Sequence, residues 1–222
     1  MIKGAIFDMD GLMFDSERLV CSIWQEMMDE NGYEFSVDIF KNTIGLRQDK
    51  SKIFYTSLYG NDFDYDHFKA QSRERFYKRI ERDGVPIKKG LFTLLDYLKS
   101  QNIKMAVATS TSSQTALKVI RKAGIYEYFD SFVCGDDVKN GKPHPEVFLT
   151  AAERIGVSPE ECIAFEDSIN GIKSAFSANM TTVMVPDFLQ PTDEIKPQIS
   201  FLCKSLDEAI DFIEKHKKLI TL

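Results

Sequence analysis

The sequence predicts an α/β fold: a doubly wound parallel sheet with a helical segment inserted directly after its first strand. Three observations carry this. The apolar run Ala5-Ile6-Phe7 opens the chain and ends in Asp8-Met9-Asp10-Gly11. Between Phe14 and Pro86 only helical patterns occur. Beyond Gly90, apolar runs of strand length alternate with amphipathic helical ones, and that alternation builds a parallel sheet with helices on both faces.

In order, the first strand passes into Asp15-Ser16-Glu17, a helix start with Ser16 as N-cap, followed by Leu19, Ile23, Met27 and Met28 on one face and ended by Asn31-Gly32. Helical patterns follow at 50–58 and 65–82, the second containing Arg73-Glu74-Arg75-Phe76-Tyr77-Lys78-Arg79, which reads as a solvated helix face. A helix with Leu91, Leu94, Leu95 and Leu98 then precedes a strand at 104–108, a helix at 114–123 and its Gly124 stop. Strands are expected at 131–134, 162–165 and 182–185, with helices at 146–155 and 169–178 between them. A short strand at 199–203 and a helix at 206–217 complete the chain. The expected domains are therefore a core of 1–14 and 86–222 and a helical insertion of 15–85.

Composition narrows the function. With 28 basic against 34 acidic residues the net charge is −6, which argues against general nucleic-acid binding and leaves an anionic substrate to a local site. No apolar stretch approaches the roughly 20 residues that a membrane helix needs, and the amino terminus lacks a signal-peptide profile. A soluble, cytoplasmic protein is expected, with monomer as the default for this size. Cys21, Cys134, Cys162 and Cys203 are scattered without Cys-x-x-Cys spacing, so they read as reduced, mostly buried thiols rather than a zinc site.

Parallel sheets bind ligands at the carboxyl ends of their strands, so the informative residues are those that close each strand. The first strand delivers Asp8 and Asp10, the second Thr109 and Ser110, the loop after the third Lys142, and the fourth Glu166 and Asp167. Singly, each has a bland reading: a polar loop, a proline-rich helix entry, an acidic helix start. Jointly they suit magnesium-assisted phosphoryl transfer. Mg²⁺ prefers a few carboxylate oxygens plus phosphate and water, while hydroxyls, the Ser110 and Thr111 backbone N–H groups and a fixed ammonium suit phosphoryl oxygens.

With Asp8-Met9-Asp10-Gly11, Thr109, Lys142 and Glu166-Asp167 in that order, the chain resembles the haloacid dehalogenase-like superfamily over nearly its whole length. It is most similar to the subgroup of β-phosphoglucomutase and sugar-phosphate phosphatases. The tracts Lys142-Pro143-His144-Pro145-Glu146-Val147-Phe148 and Phe165-Glu166-Asp167-Ser168-Ile169-Asn170-Gly171 are family-like in detail. The resemblance implies a Rossmann-like core and an inserted helical cap that closes over substrate. It implies Asp8 as the nucleophile forming an aspartyl phosphate, and Asp10 as acid and base. Thr109, Ser110 and Lys142 would hold phosphate. Asp8, Asp10 through its backbone carbonyl, Glu166 and Asp167 would hold Mg²⁺. Arg47, in Thr43-Ile44-Gly45-Leu46-Arg47, falls in a cap segment that contacts substrate in such relatives.

The expected activity is hydrolysis of a small phosphorylated metabolite, a sugar phosphate. A sugar phosphomutase is the alternative, disfavoured by Val20 where the resembling mutase has a histidine. Two further readings are a phosphoacceptor signalling domain and a non-catalytic binding domain. The first is opposed by the order of its acids and by the helical insertion, the second by the survival of every motif residue.

Overall fold

Six parallel strands form one sheet: β1 Gly4–Phe7, β2 Lys104–Ala108, β3 Ser131–Val133, β4 Cys162–Glu166, β5 Thr181–Met184 and β6 Phe201–Leu202, in the spatial order β3-β2-β1-β4-β5-β6. This is a computed structural model, describing residues 2–44, 46 and 48–218, the side chains of 216–218 excepted. It separates into two compact units, one of Met1–Phe14 with Ile87–Leu222 and one of Asp15–Pro86.

In the sheet unit, β1 is central because its four residues are apolar or small and wholly buried. Phe7 lies level with Val107 on one side and Phe165 on the other. Strand alternation sends Ile6, Ala106, Ala108 and Ala164 to one face. There they pack with Val147, Phe148, Ala151 and Ala152 of α7 (Glu146–Ile155) and with Ala175 of α8 (Ile169–Ser177). The small alanines let these two helices approach closely. Phe7 points to the opposite face, stacked on Phe165 at 4.6 Å and met edge-on by Phe129.

Between β1 and β2 the crossover carries α5 (Leu91–Ser100), and α6 (Ser113–Lys122) joins β2 to β3. Both crossovers run away from β1 on one side, whereas those carrying α7 and α8 run to the other. Right-handed crossovers in opposite directions place their helices on opposite faces, and the direction reverses at β1. The closing helix α9 (Ala209–Lys218) follows a short 3₁₀ turn at Leu206–Glu208, where the sequence suggests one continuous helix.

The helical unit contains α1 (Ser16–Glu30), α2 (Val37–Lys41), α3 (Gln48–Tyr59) and α4 (Tyr65–Asp83). Its core is aromatic: Trp24 stacks on Tyr55 at 4.7 Å and lies near Phe35, Tyr65 and Phe68. Two expectations are corrected here. Asp15, not Ser16, is the N-cap of α1, and Ser16 is a buried residue of the first turn. The basic run of α4 is only partly a solvated face, since Arg75 and Arg79 reach α1 and form two-bond pairs with Glu30 and Glu26. The four free cysteines are buried, as expected, and no described helix is long and apolar enough to cross a membrane.

Candidate active site

The strand order reverses between β1 and β4, and that is where open α/β sheets leave a crevice at the strand ends. Asp8 follows β1 with its N–H bonded to Phe165 O at 3.0 Å. Glu166 closes β4 and Asp167 follows it. The chain after Asp8 then makes a tight turn, Met13 and Phe14 donating to Met9 O and Gly11 donating to Phe14 O. Gly11 has φ +81°, and a Cβ there would lie 2.2 Å from Asp167 Oδ2. Glycine at this position is what lets the Asp167 carboxylate lie against the Asp10-Gly11 backbone.

Lys142 comes from the loop between β3 and α7, and its Nζ is buried. It donates to Asp8 Oδ1, to Glu166 Oε1 at 2.5 Å and to Ala108 O at 3.0 Å. The loop is held by Glu146, which accepts from the backbone N–H groups of Lys139 and Asn140, and by Ser174, whose hydroxyl donates to His144 O at 2.6 Å. Pro145 is the N-cap of α7, and the Lys142–Pro143 peptide is cis.

Glu166 has no exposed surface. Its second oxygen accepts from the Asp167 and Ser168 N–H groups and from Ser168 Oγ. Gly171 leaves room for it: a Cβ there would lie 1.9 Å from the glutamate Cδ. Both Glu166 oxygens thus have protein partners.

Burial pushes the Asp8 carboxyl up, Glu166 and Asp10 add to that, and Lys142 opposes it. Burial also works against the Lys142 charge, yet Asp8 and Glu166 together hold it above the ordinary lysine range. Lys142 is thus shared by two carboxylates, Asp8 and Glu166, with Asp167 close to both. Oxygen atoms of Asp8, Glu166 and Asp167 lie within 4.8 Å of one another. An all-oxygen donor set with excess negative charge fits a hard divalent cation such as Mg²⁺.

Thr109 and Ser110 follow β2. Thr109 is buried, its N–H bonded to Val133 O and its Oγ1 accepting from the Thr111 N–H at 3.1 Å. That N–H, expected to face phosphate, is thus directed to Thr109. Gly135 leaves room for the Ser110 carbonyl, since a Cβ there would lie 2.3 Å from Ser110 O. Asp10 accepts from Thr111 Oγ1 at 2.7 Å, a contact between residues far apart in sequence that nothing local announces. Arg47 lies outside the described residues.

A second group, Cys134, Asp136 and Asp137, also gathers possible ligand atoms. Its carboxylates are engaged: Asp136 accepts from Ser113 N and Oγ, and Asp137 from Cys134 N and Arg154. Burial pushes the Cys134 thiol up to about 11, which disfavours a thiolate ligand. This cluster ties the loop after β2 to the turn after β3.

The same strand order separates the chain from receiver-type doubly wound sheets, in which β3 rather than β4 adjoins β1. A family model of haloacid dehalogenase-like hydrolases matches residues 5–185. The chain belongs to this family. The named relatives of this haloacid dehalogenase-like hydrolase include phosphatases and a phosphomutase. The phosphorylated carbohydrates phosphatase of Thermotoga maritima is 34% identical over 82% of the chain and 84% of its own length. The β-phosphoglucomutase of Bacillus subtilis is 30% identical over 83% of each. A crystal structure of β-phosphoglucomutase from Clostridium difficile superposes with a TM-score of 0.75 at 26% identity, covering the whole of both chains. The fold is thus the Rossmann-like α/β sheet of this family.

Proposed function

We propose that the chain is a Mg²⁺-dependent phosphatase that hydrolyses a small phosphorylated metabolite, a sugar phosphate, through an aspartyl phosphate on Asp8. The observation that carries this is the meeting of Asp8 with Lys142, Glu166 and Asp167 at the sheet reversal. Asp8 and Asp167, with the Asp10 carbonyl and Glu166 beside them, are the residues that would hold Mg²⁺; bound there, the ion supplies positive charge to the phosphoryl oxygens. Glu166, with both oxygens partnered by the protein, supports this set chiefly by fixing Lys142.

In the first step an Asp8 carboxylate oxygen attacks phosphorus, the bond from phosphorus to the ester oxygen breaks, and Asp10 gives that oxygen its proton. In the second, water attacks the phosphorus of phospho-Asp8, Asp10 takes the water's proton, and Asp8 leaves as a free carboxylate with inorganic phosphate released. Lys142, with Thr109 and Ser110, faces the developing charge on the phosphoryl oxygens. Their fixed positions mean little reorganisation during reaction. Arg47 is proposed as a substrate contact, and the protein as a cytoplasmic monomer without nucleic-acid or membrane partners.

A phosphomutase activity is the second reading, favoured by the β-phosphoglucomutase relatives and disfavoured by Val20. A screen of phosphorylated metabolites with Mg²⁺, run beside a hexose 1-phosphate isomerisation assay, tests both. Release of inorganic phosphate from sugar phosphates supports the phosphatase. Isomerisation without phosphate release supports the mutase, and neither activity with any ester removes both.

A further inference from the structure

We infer that the Thr111 side chain is the positioning group for the proton-transferring carboxylate of Asp10, an inference that rests on the acid and base role proposed above. Thr111 Oγ1 donates to Asp10 Oδ2 at 2.7 Å. A hydroxyl has one donor and two acceptor lone pairs, so it can donate to the carboxylate and accept from the carboxylic acid. The contact therefore survives both protonation states of a group that must give a proton in one step and take one in the next.

Thr111 is itself held at its backbone. Its N–H donates to Thr109 Oγ1 at 3.1 Å, and its carbonyl accepts from Gly135 N–H at 2.9 Å. On either side, Ser110 O lies against Gly135 and Ser113 is clasped by Asp136. A β-branched side chain on a backbone so fixed has few rotamers, and one of them reaches Asp10. The same short loop thus ties Thr109, on the phosphate side of the proposed site, to the placement of the proton carrier.

The test compares two esters in Thr111→Val, Thr111→Ser and Asp10→Asn. One is p-nitrophenyl phosphate, whose phenolate leaves without needing a proton. The other is the alkyl phosphate that the wild type turns over fastest in the screen above. kcat/KM reports the first phosphoryl transfer, so Thr111→Val is expected to lower it about tenfold for the alkyl ester, a fraction of what a positioned acid contributes. The aryl ester is expected to stay within about twofold of wild type, and Thr111→Ser to restore the alkyl value. Wild-type kcat/KM for both esters in Thr111→Val, or an equal fall for both, overturns the inference. If the valine variant lacks a cooperative thermal transition, Thr111→Ala is judged by the same ratio of alkyl to aryl rates. A wild type inactive on both esters, or an Asp10→Asn variant with an undiminished alkyl rate, overturns the proposed function as well. An active wild type with an impaired Asp10→Asn and an unaffected Thr111→Val removes the inference alone.

Discussion

Lys142 Nζ lies 2.5 Å from Glu166 Oε1, and the same ammonium bridges to Asp8 from a position shielded from solvent. Removing one member of a buried ion pair leaves the others uncompensated, at a cost of about 3–5 kcal/mol. Lys142→Ala is therefore expected to lose about that much stability in metal-free protein, because two buried carboxylates lose their cation together. Glu166→Gln, which keeps the lysine paired to Asp8, is expected to lose about 1–3 kcal/mol. Urea unfolding of the two variants measures the difference.

Asp8 is expected to be costly to the fold and essential to the chemistry. Its carboxylate sits among Glu166, Asp167 and Asp10, with burial disfavouring its charge. Asp8→Asn is expected to abolish turnover yet raise the melting temperature of metal-free protein, as substitutions at strained active sites can. Mg²⁺ at a hundredfold excess over its Kd would stabilise the wild type by about 2.7 kcal/mol and the variant by less. Melting curves with and without Mg²⁺ check both statements.

Two glycines are expected to be intolerant for different reasons. Gly11→Ala would press a methyl onto the Asp167 carboxylate at a positive φ, so the Mg²⁺ concentration for half-maximal activity should rise. Gly171→Ala would press one onto the Glu166 carboxylate and dislodge the group that fixes Lys142, so KM should rise, and the Mg²⁺ concentration for half-maximal activity should rise less than in Gly11→Ala. Activity titrated separately against metal and against substrate distinguishes them.

Much of this site is legible in the sequence. Asp8, Thr109, Glu166 and Asp167 each end or follow an apolar run, and the β/α alternation implies that such ends share one edge. The order β3-β2-β1-β4 then places Asp8 beside Glu166. What could not be read were the contacts that fix these groups. Thr111 meets Asp10, Asp136 clasps Ser113 and Ser174 holds His144 across separations that leave no local pattern. Sequence alone leaves the start of α1 ambiguous by one residue because Asp15 and Ser16 are equally good capping types. The pairs that Arg75 and Arg79 make with α1 were hidden because helical spacing gives a side chain's own face but not its neighbour's.

In the sheet unit, Tyr97 of α5 donates its hydroxyl to Glu214 of α9. Burial, then the carboxylate, pushes the Tyr97 phenol above its ordinary value. A raised folded value means that the stabilisation is fully present below the unfolded value of about 10 and fades as pH rises beyond it. Tyr97→Phe should be less stable than wild type at pH 7 by about 1 kcal/mol, and the gap should narrow above about pH 10. Chemical denaturation across that range gives the sign directly.

The most direct test of the central claim is mass spectrometry of Asp10→Asn protein quenched in acid during reaction with Mg²⁺ and a substrate. The expected result is one added phosphoryl group, located on the peptide that contains Asp8 and absent when Asp8 is also changed to Asn. A phosphoryl group on another residue, or hydrolysis continuing in Asp8→Asn at the wild-type rate, would contradict the account.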